Sequence, residues 1–175
     1  MTARWTKRNP RWTWLAAVAV LLLLDQSTKS YFSTILELGE AVRVTDLLNF
    51  VHVLNTGAAF SLLADASGWQ RWFFIGVSVL VVGVVSVACL APHVEPLDRW
   101  AGAFVAGGGG GNLVDRIHIG AVVDFLDFHW RNIHWPAFNL ADVFIVCAAL
   151  TWCLVSLKTP PRQQPTRKSP EELPS

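Results

Sequence analysis

Charge is scarce in this chain. Only 15% of its 175 residues are Asp, Glu, Lys or Arg, and 14 basic residues against 13 acidic ones leave a formal net charge of +1. Without a basic excess there is little to meet a phosphate backbone, which argues against a nucleic-acid partner. Low net charge on an apolar chain excludes intrinsic disorder. An ordinary soluble domain carries charge on roughly a quarter of its residues, well above this level. Cysteine is also scarce: Cys89, Cys147 and Cys153 lie in apolar runs, and no Cys-x-x-Cys pair occurs. Neither a disulfide framework nor a zinc site is indicated. The five histidines are scattered, and His129 and His134 are five apart, a poor spacing for two ligands on one helix face. No metal is expected.

What is abundant is apolar. Hydrophobic residues make up 53%, with nine Trp and ten Phe, and the mean hydropathy is +0.40. The length suits one domain, and the composition suits a small polytopic membrane protein.

Four apolar runs stand out. Trp72 to Ala91 is 20 residues without a charge, enough to cross about 30 Å of hydrocarbon. Trp12 to Leu24, Trp100 to Val114 and Val143 to Leu157 are shorter, and each meets an ionisable group: Asp25, Asp115-Arg116, and Asp142 with Lys158. They reach spanning length only if those groups are drawn toward the bilayer, where ionisable groups are costly and usually have a task. With four spans both termini share a side. The termini and the loop at Arg99 hold nine of the 14 basic residues, so the positive-inside rule predicts cytoplasmic termini. Nine of the 13 acids fall on the opposite side, Asp25, Asp115, Asp124 and Asp142 among them.

The expected organisation is a cytoplasmic tail over 1–11, a four-span membrane domain over 12–158, and a Pro-rich, disordered cytoplasmic tail over 159–175. Leu24-Asp25-Gln26-Ser27 is a poor cleavage site, so the first span is expected to stay attached. Ala41 to Leu63 looks extended, with a turn at Asn55-Thr56-Gly57, and predicts a small outer sheet. Phe128 to Phe138, with Trp130, Trp135, Arg131 and two His, suits an arm at the interface. The expected fold class is an all-α membrane protein: a four-helix bundle with a small outer β-sheet and that interfacial arm.

Asp25 and Lys29 are four apart, acid first, the favourable order for a helical ion pair. Mutual neutralisation near the edge of the span is the favoured reading, ahead of a catalytic role. Gly107 to Gly111 lies inside a span. Each glycine costs a helix about 1 kcal/mol relative to alanine, but lets helices approach closely. No Gly-Lys-[Ser/Thr] follows, so it is not a phosphate loop. Helical spacing puts Asn112 above both Asp115 and Arg116; Arg116 either holds a substrate carbonyl or pairs with a carboxylate. Asp124 and Asp142 have no basic residue at helical spacing. Brought together, two such carboxylates would share a proton and could activate water. Asp127 competes with Asp124, and capping of the last helix by Asp142 with Asn139 is the plainer alternative.

Five motifs in register now resemble one family. They are Asp25-Gln26-Ser27-Thr28-Lys29, Asn55-Thr56-Gly57-Ala58-Ala59-Phe60, Gly111-Asn112-Leu113-Val114-Asp115-Arg116, Val122-Val123-Asp124-Phe125 and Phe138-Asn139-Leu140-Ala141-Asp142. Together, over roughly residues 12 to 158, they resemble the bacterial lipoprotein signal peptidases, or signal peptidase II. The resemblance implies an intramembrane aspartyl endopeptidase of the bacterial inner membrane. It would remove the signal peptide from prolipoproteins just before a cysteine carrying diacylglycerol. Carried over, Asp124 and Asp142 are the catalytic dyad. Asn55, Asn112, Arg116 and Asn139 order the site and the substrate, and Asp25, Lys29 and Asp115 form a supporting network. No cofactor is implied. The implied partners are the lipid-modified prolipoprotein, membrane lipids and the inhibitor globomycin, and a monomer suffices. The family usually has Gly-Gly-Ala-x-Gly-Asn where this chain has Gly107-Gly108-Gly109-Gly110-Gly111-Asn112. That departure predicts a looser helix or a wider pocket. A proton-conducting transporter would spread its acids through the membrane's depth, whereas these cluster at one end. A non-catalytic lipid scaffold leaves Asp124 and Asp142 unexplained.

Overall fold

Each of the four apolar runs forms half or more of a helix, and the first of these helices runs ten residues past the Asp25 that ends its run. The computed structural model describes residues 10–57 and 68–158. Most of the basic N-terminal tail, the Pro-rich tail and Ala58-Ala59-Phe60 lie outside the described residues. The elements are α1 (Pro10–Ile35), β1 (Ala41–Arg43), β2 (Leu48–Asn55), α2 (Trp69–Leu90), α3 (Pro96–His118), β3 (Val122–Trp130), β4 (Ile133–His134) and α4 (Leu140–Lys158). At 1.5 Å per residue, the 26 residues of α1 extend about 39 Å and the 23 of α3 about 35 Å. Among the described residues, α2 and α4 are long and apolar enough to cross a membrane by length and composition alone. In α1 and α3, charges and glycines dilute the apolar character.

Burial is inverted relative to a soluble protein. Asp25 and Asn139 are 0% exposed and Lys29 only 3%, while Val87 is 76% and Leu157 77% exposed. An apolar coat around a polar interior needs a non-aqueous surrounding. α3 lies at the centre and packs against α1, α2 and α4.

The glycine run explains that closeness. A Cβ on Gly108 would stand 2.5 Å from the Ala141 carbonyl oxygen of α4, and one on Gly111 would fall on the Asp25 carboxylate of α1. Gly107 faces Leu21 of α1, and Gly109 faces Val82 of α2. The run therefore seats α3 against three helices. It does not line the main cavity, so the expected widening of the pocket does not occur there.

The four strands form one antiparallel sheet in the order β1-β2-β3-β4. β2 and β3 pair from Leu48↔Phe128 to Asn55↔Val122, with an irregularity between Phe50 and Val53. The sheet is seated on the end of α1 by Phe32, whose ring stacks on Phe125 at 4.5 Å and tilts against Phe50 at 4.6 Å. The segment expected as an interfacial arm is a hairpin folded back on its own sheet. Trp135 N donates to Phe128 O at 2.7 Å, and Phe138 N to Leu126 O at 2.9 Å. Backbone pairing is the reason, since an extended segment must satisfy its N–H and C=O groups somewhere. Its aromatic tips, Trp130 and Trp135, stay exposed.

Candidate active site

The site begins at the first turn of α4, where orphan N–H groups need acceptors. Asp142 N donates to Asn139 Oδ1 at 3.0 Å, and Asn139 N donates to Asp142 Oδ2 at 3.2 Å. This is a reciprocal capping box. Ala141 N, the next orphan, donates to Asp25 Oδ1 of α1 at 2.9 Å. The capping role weighed for Asp142 is therefore real, and it also fixes how the carboxylate is presented.

Because Asn139 Oδ1 is committed to the cap, its Nδ2 is left to donate. It reaches Asp124 Oδ1 at 2.7 Å and Asn112 Oδ1 at 3.2 Å. Asn112 Oδ1 also accepts from Lys29 Nζ at 2.8 Å, so Asn112 Nδ2 points the other way, to Asp142 Oδ1 at 2.9 Å. The neighbours thus dictate both amide orientations. Asn55 Nδ2, from the end of β2, supplies a second donor to Asp124 at 3.0 Å, while its Oδ1 accepts from Gly57 N in a local turn.

Behind the two amides stands a buried charge cluster. Lys29 Nζ lies 2.9 Å from Asp25 Oδ2 and 3.0 Å from Asp115 Oδ2. With Asn112 this gives the ammonium three partners, matching its three donors. The expected Asp25–Lys29 pair is present, and Asp115 is its long-range third member. Asp115 Oδ2 also accepts from Val123 N at 3.1 Å, tying β3 to α3. Gln26, the second residue of the first motif, donates to Asp115 Oδ1 at 2.9 Å and to Gly111 O at 3.2 Å. Its place beside Asp25 was the only signal for it.

Asp124 and Asp142 line one cavity of about 760 Å³ with Asn55, Asn112 and Arg116. Much of the remaining lining is apolar: Phe128, Trp135, Phe138, Val143, Val146 and Cys147. Burial first, and the nearby Asp142 carboxylate second, push the Asp124 carboxyl up to about 7, against the hydrogen bonds from Asn55 and Asn139. Among the described residues no carboxylate lies within ion-pair distance of Arg116; its guanidinium sits 5.2 Å from the centre of the Phe74 ring. Asp127 is engaged elsewhere, with Asn49 Nδ2 and His134 Nδ1 each at 2.9 Å from its Oδ2. It faces a second cavity that also touches Asp124. Among the described residues no group of three or more His, Cys, Asp or Glu could hold a metal.

Comparison with known proteins decides the family. The sequence profile for signal peptidase (SPase) II matches residues 17–158. The chain belongs to the signal peptidase II family. Proteins named lipoprotein signal peptidase are similar to it: one from Tolumonas auensis is 49% identical over 80% of this chain and 85% of its own length. One from Aeromonas hydrophila is 46% identical over 82% and 86%, and one from Serratia marcescens 45% over 82% and 84%. A bacterial membrane enzyme solved at 2.3 Å by the in meso method shares the fold, with a TM-score of 0.75 and 24% identity over 89% of this chain and 94% of that one. As a signal peptidase II, the chain is a membrane peptidase rather than a transporter or a non-catalytic scaffold.

Proposed function

We propose that this signal peptidase II removes the signal peptide from prolipoproteins as an aspartyl endopeptidase, with Asp124 and Asp142 as the dyad. The observation that carries the reading is their placement: two carboxylates lining one cavity, each held by an amide of the Asn112–Asn139 pair. One carboxylate is ionised and the other protonated. The ionised group takes a proton from water as its oxygen attacks the scissile carbonyl carbon. The protonated group hydrogen-bonds the carbonyl oxygen as negative charge develops there. Collapse of the tetrahedral species breaks the C–N bond, and the leaving amine takes the proton removed from water. Arg116 holds a substrate backbone carbonyl, and Asn55 keeps Asp124 aimed at the cavity. Asp25, Lys29 and Asp115 hold Asn112 in register.

The apolar lining supports a lipid-bearing substrate, cut just before a cysteine carrying diacylglycerol, and the same lining would receive globomycin. α1, α2, α3 and α4 cross the bacterial inner membrane as four spans of one domain, 12–158, with both tails, 1–11 and 159–175, cytoplasmic and the dyad near the periplasmic face. The basic residues at the termini and Arg99 support that orientation. A monomer contains every residue of the site, with membrane lipids around it.

The test is a gel-shift cleavage assay in detergent on a diacylglyceryl-modified prolipoprotein. Wild type should cut, and folded Asp124→Asn and Asp142→Asn should not. Cleavage by either variant would overturn the dyad, and Asp115 and Asp127 would be tested next.

A further inference from the structure

Arg116 is held from one side by two residues of α2 that the reaction itself does not use. α3 ends at His118, and the carbonyls that follow Asp115 in its last turn need donors from outside the helix. Arg71 fills two of them: Nε donates to Arg116 O at 3.0 Å, and Nη2 donates to Ile117 O at 2.7 Å. Gly120, at φ +78°, lets the chain turn away directly beside this guanidinium. One helical turn along α2, the face of Phe74 lies 5.2 Å from the Arg116 guanidinium carbon. Residues three apart on a helix share a face, so α2 grips Arg116 by its main chain through Arg71 and by its side chain through Phe74. The cationic group is thereby aimed into the cavity that holds Asp124 and Asp142 without an ion pair to either.

We propose that Arg71 and Phe74 are positioning residues for Arg116, setting where the substrate backbone is held. This builds on the proposed role of Arg116 in binding that backbone. An Arg stacked on a ring stays available for a new partner, whereas one locked to a carboxylate would have to break that pair first.

The experiment is a double-mutant cycle read by cleavage kinetics in detergent. Phe74→Leu keeps an apolar side chain but removes the ring face; it should lower kcat/KM about five-fold, mostly through KM. Arg71→Gln should act in the same direction. In an Arg116→Lys background, where the flat guanidinium is already gone, Phe74→Leu should change kcat/KM by less than about two-fold. Phe74→Tyr restores the ring and should restore KM, which separates positioning from loss of fold. Equal losses from Phe74→Leu in both backgrounds would overturn the proposal, as would failure of Phe74→Tyr to recover. If Asp124→Asn or Asp142→Asn cleaves while the cycle remains non-additive, the dyad reading fails and the positioning role stands.

Discussion

Asn139 and Asp142 hold each other: each main-chain N–H donates to the other's side-chain oxygen, at 3.2 and 3.0 Å. The helix cap and the proposed catalytic carboxylate are thus one unit. Asn139→Ala removes the cap and the 2.7 Å hydrogen bond to Asp124 together. It should cost about 1–3 kcal/mol of stability and at least about a hundredfold in kcat. Thermal unfolding in detergent and the cleavage assay check both; a variant that loses stability yet keeps full kcat would separate capping from catalysis.

The pH dependence follows from Asp124, whose carboxyl is pushed up to about 7. A dyad that works with one proton loses its donor as pH rises through that value, so kcat/KM should fall above about pH 7. Asn55 bonds the ionised form of Asp124 at 3.0 Å. Asn55→Ala should therefore move the alkaline limb to higher pH; movement to lower pH would contradict the assignment.

The same group works against stability, and the sign can be read. Its folded-state value lies above the ordinary 3.8, so the folded state binds the proton more tightly. Its contribution to stability falls as pH rises from about 4 to about 7 and stays unfavourable above. Asp124→Asn, neutral at every pH, should unfold a few degrees higher than wild type at pH 8. The gain should vanish near pH 4, which a pair of thermal scans at the two pH values will show.

Gly108→Ala should destabilise by about 1–3 kcal/mol and impair cleavage, because its Cβ meets a main-chain oxygen of α4 at 2.5 Å. Gly110→Ala meets only Leu22 Cδ1, at 3.3 Å, the free end of a flexible side chain. It should leave the unfolding temperature close to wild type. Equal effects at the two positions would mean that helix seating is not what the run provides.

Lys29→Met leaves Asp25 and Asp115 buried without their shared cation. The loss should be about 3–5 kcal/mol. Adding Asp115→Asn should recover part of it, read by the same thermal scans.

Local patterns are legible in the sequence. The uncharged run at Trp72 became α2, and Ala41 to Asn55 became two strands. What stayed hidden was pairing at long range. The apolar runs of α1 and α3 stop at Asp25 and Asp115, yet the helices continue, because Lys29 neutralises both acids inside the bundle. That Asp115 joins the pair, and that Asp25 caps α4 through Ala141, no spacing could reveal. The motifs name the nine residues proposed for the site, while the amide relay through Asn112 and Asn139 comes only with the fold. Asp127 lies nearer the wet interfacial segment than Asp124; its contacts with His134 and Asn49, and its absence from the cavity that Asp124 shares with Asp142, separate the two.

The Asp25–Lys29–Asp115 cluster also bears on how the protein is made. α1 emerges from the ribosome first, carrying an acid and a base that can cancel each other; α3 follows with an acid whose cation sits on α1. Hydrocarbon is a poor resting place for a lone carboxylate. With α1 and α3 crossing the membrane as proposed, α3 should therefore leave the insertion machinery only once α1 is at hand to receive it. Maturation of this enzyme then has a built-in order, in which the first helix waits and the third is accepted by it.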